Sequence, residues 1–193
     1  AWFDIRDADI LDHRLELDMR RATLTRHLRW QDRAGRRTSL VQRRLVSMTD
    51  PHLAGLESTF TAENWSGTLQ VRSGLDGRVA NAGVKRYRDL DGRHLTVLRA
   101  DGAGAETIQL QAETTQSHIR IALAARTRVL VDRVPVAADL RLVTEPGYVA
   151  HELELSIGQQ KPMAFEKLVA LYSSRDRAIS ESLLAAARQR HVD

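Results

Sequence analysis

Apolar and polar residues alternate along most of this chain, as far as about Tyr172. The runs Leu15 to Met19 and Leu24 to Trp30 show the pattern well, with charged residues at the intervening positions. A period of two is typical of strands that bury one face and expose the other. The sequence therefore predicts a protein that is mainly β.

Turn-forming residues divide the alternating part into about ten to twelve short strands, spaced roughly 8–14 residues apart. The predicted breaks are Asp32 to Gly35, Thr49 to Pro51, Asn64 to Gly67, Gly74 to Gly83, Asp91-Gly92, Gly102 to Gly104 and Pro146-Gly147. Ile119 to Leu123 and Val129 to Val131 are expected as separate strands. No helical pattern lies between the strands, which favours an antiparallel β-sandwich over residues 1–172.

The pattern changes after Ser173, where apolar residues begin to recur every four positions. The apolar stripe consists of Ile179, Leu183, Leu184 and Ala187. This spacing predicts an amphipathic linker helix over residues 173–193. Ser173 or Ser174 can cap it, with Asp176 as the second member of a capping box. Such a stripe needs a surface to pack on, so we expect the helix to lead into a domain outside this sequence.

Composition excludes several protein classes. No run approaches the roughly 20 apolar residues of a membrane helix, and no secretory signal pattern is present, so a cytoplasmic location is expected. The absence of cysteine excludes disulfides and thiolate metal sites. The chain begins at Ala1-Trp2-Phe3, which is interpreted as a cut end.

Arginine is strongly favoured over lysine, and ten arginines fall between Arg14 and Arg44 against only Glu16, Asp18 and Asp32. Such a segment could bind a polyanion. It is also what results when strands alternate arginine outward with leucine or valine inward. The few aromatic residues argue against stacking on nucleic-acid bases.

The known catalytic patterns are incomplete in this sequence. The segment His151 to Leu155 begins like a zinc-protease motif but lacks the second histidine, and Glu152 and Glu154 share one strand face, as in a solvated surface. Gly102 and Gly104 do not form a dinucleotide loop. The sequence therefore predicts no catalytic, cofactor-binding or metal-binding residue.

The Gly74 to Gly83 loop is the best candidate for a binding role. It carries Asp76, Arg78 and Asn81, with Lys85 just beyond it, and long loops on rigid sandwiches often bind ligands. The alternative is a loop that caps itself through bonds from the Asp76 and Asn81 side chains to its backbone.

Several segments in order along the chain resemble the N-terminal domain of glycoside hydrolase family 65. They are LELDMRRATLTRHLRW (15–30), RRLVSMTDPHLA (43–54), SGLDGRVAN (73–81) and LYSSRD (171–176). The family contains the maltose, trehalose and kojibiose phosphorylases and related trehalose hydrolases. The resemblance implies a large supersandwich similar to galactose mutarotase, here without its first strands, followed by a helical linker and an (α/α)6-barrel catalytic domain.

In that family the general-acid glutamate and the phosphate-binding residues lie in the barrel, so the resemblance gives this chain no catalytic residue. It implies a parent enzyme that cleaves an α-glucosyl disaccharide of the trehalose or maltose type with inversion, using phosphate or water. The resemblance implies that the sandwich supplies a scaffold, dimer contacts and a loop bordering the sugar pocket. From the composition of the Gly74 to Gly83 loop, we expect Asp76, Arg78 or Asn81 to lie near that border. Phosphate is the one co-substrate implied; neither nucleic acid nor a membrane is expected as a partner.

Two alternatives remain open. One is a freestanding carbohydrate-binding module, for which Trp2, Trp30 and Trp65 are the available aromatic platforms. The other is a polyanion-binding domain that uses the Arg14 to Arg44 segment.

Overall fold

A computed structural model describes residues 2–81, 83, 92–176 and 186 of the chain. The described part contains one 3₁₀ turn, Ile5–Asp7, and twelve strands, which confirms the mainly β prediction. The strands are β1 (Asp9–Asp18), β2 (Thr23–Gln31), β3 (Arg37–Val46), β4 (Leu53–Ala62), β5 (Gly67–Asp76), β6 (Leu95–Gly102), β7 (Thr107–Thr114), β8 (Arg120–Val131), β9 (Val134–Val136), β10 (Arg141–Glu145), β11 (Tyr148–Ile157) and β12 (Pro162–Ser173).

The strands form two sheets, and the predicted antiparallel β-sandwich is confirmed. The larger sheet has the order β1-β2-β3-β4-β12-β8-β7-β6, and β9 pairs with β8. The smaller sheet has the order β10-β11-β5. Strands β1 to β4 are consecutive antiparallel neighbours, as expected when short turns join half-buried strands.

The chain folds into two compact units. The first consists of Ala1–Val71, Thr127–Asp139 and Leu153–Lys167. It contains β1 to β4, and its interior includes Leu28, which is 3% exposed. The rings of Phe60 and Phe165 meet edge to face with centroids 5.7 Å apart, a favourable aromatic geometry.

The second unit consists of Arg72–Arg126, Leu140–Glu152 and Leu168–Asp193. Its hydrophobic core is made of Leu75, Ile108, Leu110, Ala112, Ala125 and Val149. Strand β7 supplies three of these residues at every second position, as alternation requires. Its intervening Gln109 is also buried, and the side-chain amide donates to Asp101 Oδ1 at 2.6 Å. The strand is therefore buried on both faces.

Some boundaries differ from the sequence predictions. The segments Ile119 to Leu123 and Val129 to Val131 belong to the single strand β8. Its length is explained by buried alanines and Thr127, which lack the bulk of the residues used to recognise strands. Strand β9 was not predicted because Pro135 occupies its centre, and proline is tolerated in strands chiefly at sheet edges.

The helix predicted over 173–193 lies largely outside the described residues. Ser173 still belongs to β12, and its N–H donates to Asp176 Oδ2 at 2.6 Å, one of the two bonds of the expected capping box. Beyond Asp176 only Ala186 is described, and it is helical and buried. Residues 84–91, with the first strand of the Asp91-Gly92 hairpin, also lie outside the described residues.

The His151 side chain is 2% exposed in β11, and its Nδ1 makes no hydrogen bond within the described part of the chain. Burial lowers the pKa of His151 from its ordinary 6.5, and the negative charge of Glu106 partly opposes the shift. The fold therefore holds this ring in its neutral form.

We predict that the protein loses stability as pH falls below about 6.5, because the unfolded chain then binds a proton that the folded His151 resists. The slope contributed by this group is at most about 1.4 kcal/mol per pH unit. Urea unfolding at about pH 5.5 and 7.5 measures it. His151→Gln should reduce the difference between the two pH values, whereas His13→Gln, at an exposed position, should leave it unchanged. An equal pH difference in all three proteins would contradict the assignment.

Candidate functional site

The predicted loop begins later than its composition indicated. Strand β5 continues through Gly74 and Leu75 to Asp76, so the expectation of a loop from Gly74 was wrong. Leu75 is 8% exposed and belongs to the hydrophobic core of the second unit. Its burial extends the strand to Asp76, which places this carboxylate at a strand end, where the chain turns.

Arg78 joins the end of β5 to the turn between β10 and β11. Its guanidinium donates to Asp76 at 2.9 and 3.1 Å and to Glu145 Oε2 at 2.8 Å. The Arg78 Cζ atom lies 4.6 Å from the centroid of the Tyr148 ring, within the range of a cation–π contact. All four residues belong to the second unit.

The electrostatics keep this cluster charged. Hydrogen bonds from Arg78 hold the pKa of Asp76 below its usual value, and hydrogen bonds to Asp76 and Glu145 raise the pKa of Arg78. A carboxylate and a guanidinium that stabilise each other's charge cannot readily exchange protons with a substrate. The cluster is suited to positioning and hydrogen bonding, not to acid–base catalysis.

Two glycines allow the backbone to approach closely enough for these contacts. The Gly77 N–H donates to Gly147 O at 2.9 Å, and a Cβ at position 77 would lie 2.4 Å from Val97 Cγ2. Gly147 has a φ of 75°, a left-handed conformation that L side chains adopt only with strain. Both positions therefore require glycine.

An open groove of about 380 Å³ lies beside the cluster. It is lined by Val97, Leu98, Arg99, Ala100, Thr144, Glu145, Pro146 and Gly147. Its size falls in the range of small-molecule sites, and it combines apolar side chains with a carboxylate and a guanidinium. Carboxylate oxygens and arginine N–H groups are the acceptors and donors that a polyhydroxylated ligand requires.

The structure brings Asp76 and Arg78 together but gives Asn81 a different setting. The Asn81 backbone N–H donates to Gly92 O at 2.8 Å, and the residue is exposed. The Asp76 side chain accepts the Arg78 N–H at 2.9 Å, which is the self-capping bond considered as an alternative. Lys85 lies outside the described residues.

Glu145 and Tyr148 were missed as members of this cluster. The sequence did indicate the Pro146-Gly147 turn that lies between them, but it gave no sign that this turn meets Gly77. The two segments are 67 residues apart at the Arg78–Glu145 contact. A pairing of strand ends over that distance depends on tertiary structure, which periodicity does not report.

The other sequence candidates take structural roles. Glu152 and Glu154 lie on a strand, as predicted, and accept hydrogen bonds from Arg72 and Gln70, respectively. No group of three metal-ligating side chains occurs among the described residues. The same residues contain no helix that is long and apolar enough to cross a membrane.

Much of the arginine-rich segment is paired with carboxylates. The ion pairs are Arg14–Glu16, Arg21–Asp18, Arg29–Glu63, Arg33–Asp7, Arg36–Asp32 and Arg43–Glu57. Several partners lie outside the Arg14 to Arg44 segment, so its local charge excess overstates the charge that a ligand would meet. Polyanion binding by this segment stays a prediction.

An antiparallel β-sandwich with polar groups gathered where its strands end is a common class of ligand-bordering scaffold. The whole chain, residues 1–193, matches the family model described as "Glycosyl hydrolase family 65, N-terminal domain". The protein belongs to this family.

Relatives and a solved structure agree with the family. An uncharacterized glycosyl hydrolase of Mycobacterium tuberculosis is 37% identical over 97% of this chain and 14% of its own length. A kojibiose phosphorylase of Halothermothrix orenii is 28% identical over 90% of the chain and 21% of its own. An α,α-trehalose phosphorylase of Thermoanaerobacter brockii is 25% identical over 90% of the chain and 22% of its own length.

The fold resembles that of a putative kojibiose phosphorylase from the human microbiome. The TM-score is 0.77 with 16% sequence identity, over 97% of this chain and 22% of that one. The chain thus spans between about a seventh and a fifth of the length of these relatives.

We predict that Gly77→Ala lowers the free energy of unfolding by about 1–3 kcal/mol, the usual cost of overpacking. The added methyl would meet Val97 at 2.4 Å. Gly83→Ala is a matched control, because a Cβ there meets no atom of the described residues within 4 Å. Chemical denaturation of the two variants makes the comparison. Equal stability of the two would contradict the close packing of Gly77.

Proposed function

We propose that this chain is the non-catalytic N-terminal domain of a longer family 65 enzyme. The observation that carries the proposal is the family match over residues 1–193, together with relatives of which the chain spans 14–22%. Within the described residues, the candidate cluster is locked in ion pairs and carries no group poised for proton transfer. The chemistry would then belong to the remainder of the longer protein.

The substrate we propose is an α-glucosyl disaccharide of the trehalose or maltose type. Support comes from relatives whose names specify phosphorolysis of kojibiose and of α,α-trehalose. In a phosphorylase the second substrate would be inorganic phosphate, bound in an (α/α)6-barrel domain of the same polypeptide. The sandwich would act as a scaffold for that barrel and supply contacts to a second copy of the enzyme.

The loop from Asp76 to Asn81 is our candidate for the part that borders the sugar pocket. Arg78 fixes its first turn against Glu145 and Tyr148, and the adjacent groove offers hydrogen-bonding groups beside apolar ones. A sugar has the same combination of hydroxyl groups and apolar ring faces. The ion-paired cluster would hold the rim of the pocket in one position before substrate binds.

A freestanding carbohydrate-binding module is less well supported. Such modules present exposed aromatic platforms, but the indole N–H of Trp65 is bonded to Arg37 O at 3.1 Å and to Thr38 Oγ1 at 3.0 Å. Trp30 packs against Phe3 with ring centroids 4.6 Å apart. Both rings are therefore engaged in the packing of the first unit.

If this chain is non-catalytic and the chemistry belongs to the rest of the longer protein, the full-length enzyme should convert trehalose, maltose or kojibiose with phosphate or water. Residues 1–193 alone should not. Glucose and glucose 1-phosphate release measures both activities. Circular dichroism of the fragment should show β structure, so that inactivity is not mistaken for unfolding. Turnover by the folded fragment would overturn the proposal.

For the loop, we expect Arg78→Ala in the full-length enzyme to raise KM about fivefold, the effect of losing roughly 1 kcal/mol of binding. Arg33→Ala is the matched control, since Arg33 is also an exposed, ion-paired arginine but lies in the first unit. Steady-state kinetics compare the two. Unchanged kinetics and unchanged dimerisation after alanine replacement of Asp76, Arg78 and Asn81 together would dispose of the loop's role.

A further inference from the structure

Strand β1 lies at one end of the larger sheet, and among the described residues it pairs with β2 alone. Asp9 to Leu17 are all exposed, which distinguishes β1 from β2 and β4, whose residues are half-buried or buried. The apolar side chains share this exposure: Leu15 is 59% exposed and Leu17 is 63% exposed. A strand that leaves its edge and both faces open gains little from burial, so we expect another element to cover it.

The outer edge of β1 offers backbone groups to a further strand. Within the described part of the chain, no backbone hydrogen bond outside the β1–β2 ladder involves Asp9–Asp18. Natural edge strands usually avoid pairing with other chains by being short or by carrying proline or lysine. Strand β1 is ten residues long and contains neither of these residues. Its edge is therefore able to accept another strand.

The part of β1 that can accept a strand in regular register runs from Asp12 to Asp18. The pairing with β2 shifts between Ile10 and Asp12, so the ladder is irregular before this point and regular after it. The regular stretch is centred on Leu15. An antiparallel strand centred on the same residue would therefore pair with all of it.

The order of charges in this stretch is self-complementary. Arg14 and Glu16 lie on one face, and Leu15 between them lies on the other. When a second β1 pairs antiparallel about Leu15, Arg14 of each copy lies opposite Glu16 of the other, and the two Leu15 side chains meet on the reverse face. Moving the centre by one residue would put Arg14 opposite Arg14 or Glu16 opposite Glu16, and like charges directly opposite are destabilising.

The two ends of this pairing place like charges opposite each other, but each charge has a partner within its own copy. Asp12 would lie opposite Asp18 at both ends. Asp12 lies beside Arg29 in the β1–β2 register, and Asp18 pairs with Arg21 at 3.5 Å. The carboxylates at the ends are therefore compensated before the copies meet.

We propose that β1 is the contact between two copies of the longer enzyme, paired antiparallel about Leu15 so that one sheet continues through both. Arg14 and Glu16 form two ion pairs between the copies, and the two Leu15 side chains bury each other. A second copy is the occupant that the charge order selects, because an antiparallel copy presents the same residues in reverse. The inference rests on the proposed function, in which the sandwich supplies contacts to a second copy, and it locates those contacts.

Charge exchange in the full-length protein tests the pairing. Arg14→Glu and Glu16→Arg should each raise the dimer Kd about tenfold or more, because each puts like charges opposite at two symmetric positions. The double variant Arg14→Glu/Glu16→Arg should restore dimerisation, as should an equimolar mixture of the two single variants. Arg33→Glu, at an exposed, ion-paired arginine in the turn after β2, is the matched control and should leave Kd unchanged. Sedimentation velocity over a range of concentrations measures Kd.

A disulfide in the full-length protein tests the register. Residues 1–193 contain no cysteine, so an introduced cysteine in this region gives an unambiguous peptide. Leu15→Cys should form a disulfide between copies under mild oxidation, since residues directly opposite each other lie within disulfide reach. Leu17→Cys is the control, because Leu17 is similarly exposed but its two copies would lie about 13 Å apart along the strands. Peptide mass spectrometry identifies the linked residues.

The remaining outcomes overturn the proposal. A monomeric full-length protein, or a dimer Kd that the single charge changes leave unaltered or that the double variant does not restore, would exclude β1 as the contact. Equal disulfide yields at positions 15 and 17 would contradict the register. Slow hydrogen exchange at every amide of Asp12–Asp18 in diluted, monomeric protein would identify a segment of the same polypeptide as the occupant. Disaccharide turnover by the same preparations separates these results from the proposed function, since an active enzyme that fails the tests contradicts the pairing alone.

Discussion

The constraint on which this structure depends is the strict alternation of side chains between the two faces of an antiparallel sheet. Once Leu17 is paired with Leu24, the face of every residue in β1 to β4 follows from its position. The same alternation sorts charge, because the carboxylates fall on one face with Arg14, Arg29 and Arg43. The cost is that Arg26 and Arg44 fall on the other face. A slip of one residue would expose Leu28 and bury Glu57.

Local features of the fold could be read from the sequence because they depend on neighbours in the chain. The turn at Asp32 to Gly35 is an example, since Asp32 Oδ1 accepts the Ala34 N–H at 2.9 Å and Gly35 adopts a φ of 77°. Strand β8 was divided wrongly because its centre is held by buried alanines, whose burial is decided by strands β7 and β12 beside it. Residue propensities report local turns of this kind, but they do not report burial that depends on neighbouring strands.

The candidate site likewise combines a local contact that the sequence indicates with long-range contacts that it does not. Asp76 and Arg78 are two residues apart, so their contact could be expected from composition and a turn. Glu145 and Tyr148 join them only because the β10–β11 turn meets Gly77, a contact set by the packing of Val97 and the conformation of Gly147. The strand end at Asp76 was misplaced for a related reason, since the burial of Leu75 extends β5. Gly77, which contributed to the prediction of a loop, instead permits close approach of the backbone to Val97 and Gly147.

Charge sorting also bears on how the arginine-rich segment should be interpreted. A count of arginines along the sequence treats them as one patch, but Arg29 and Arg43 face their acidic partners whereas Arg26 and Arg44 lie on the reverse side of the same strands. Of the six arginines in β1 to β3, Arg14, Arg29, Arg37 and Arg43 lie on one face, where three of them pair with carboxylates, and Arg26 and Arg44 lie on the other. A polyanion approaching either face would therefore meet only part of this charge. Arg26 and Arg44 share their face with the exposed Leu15 and Leu17. Net charge therefore says less about the partner than the face on which each charge lies.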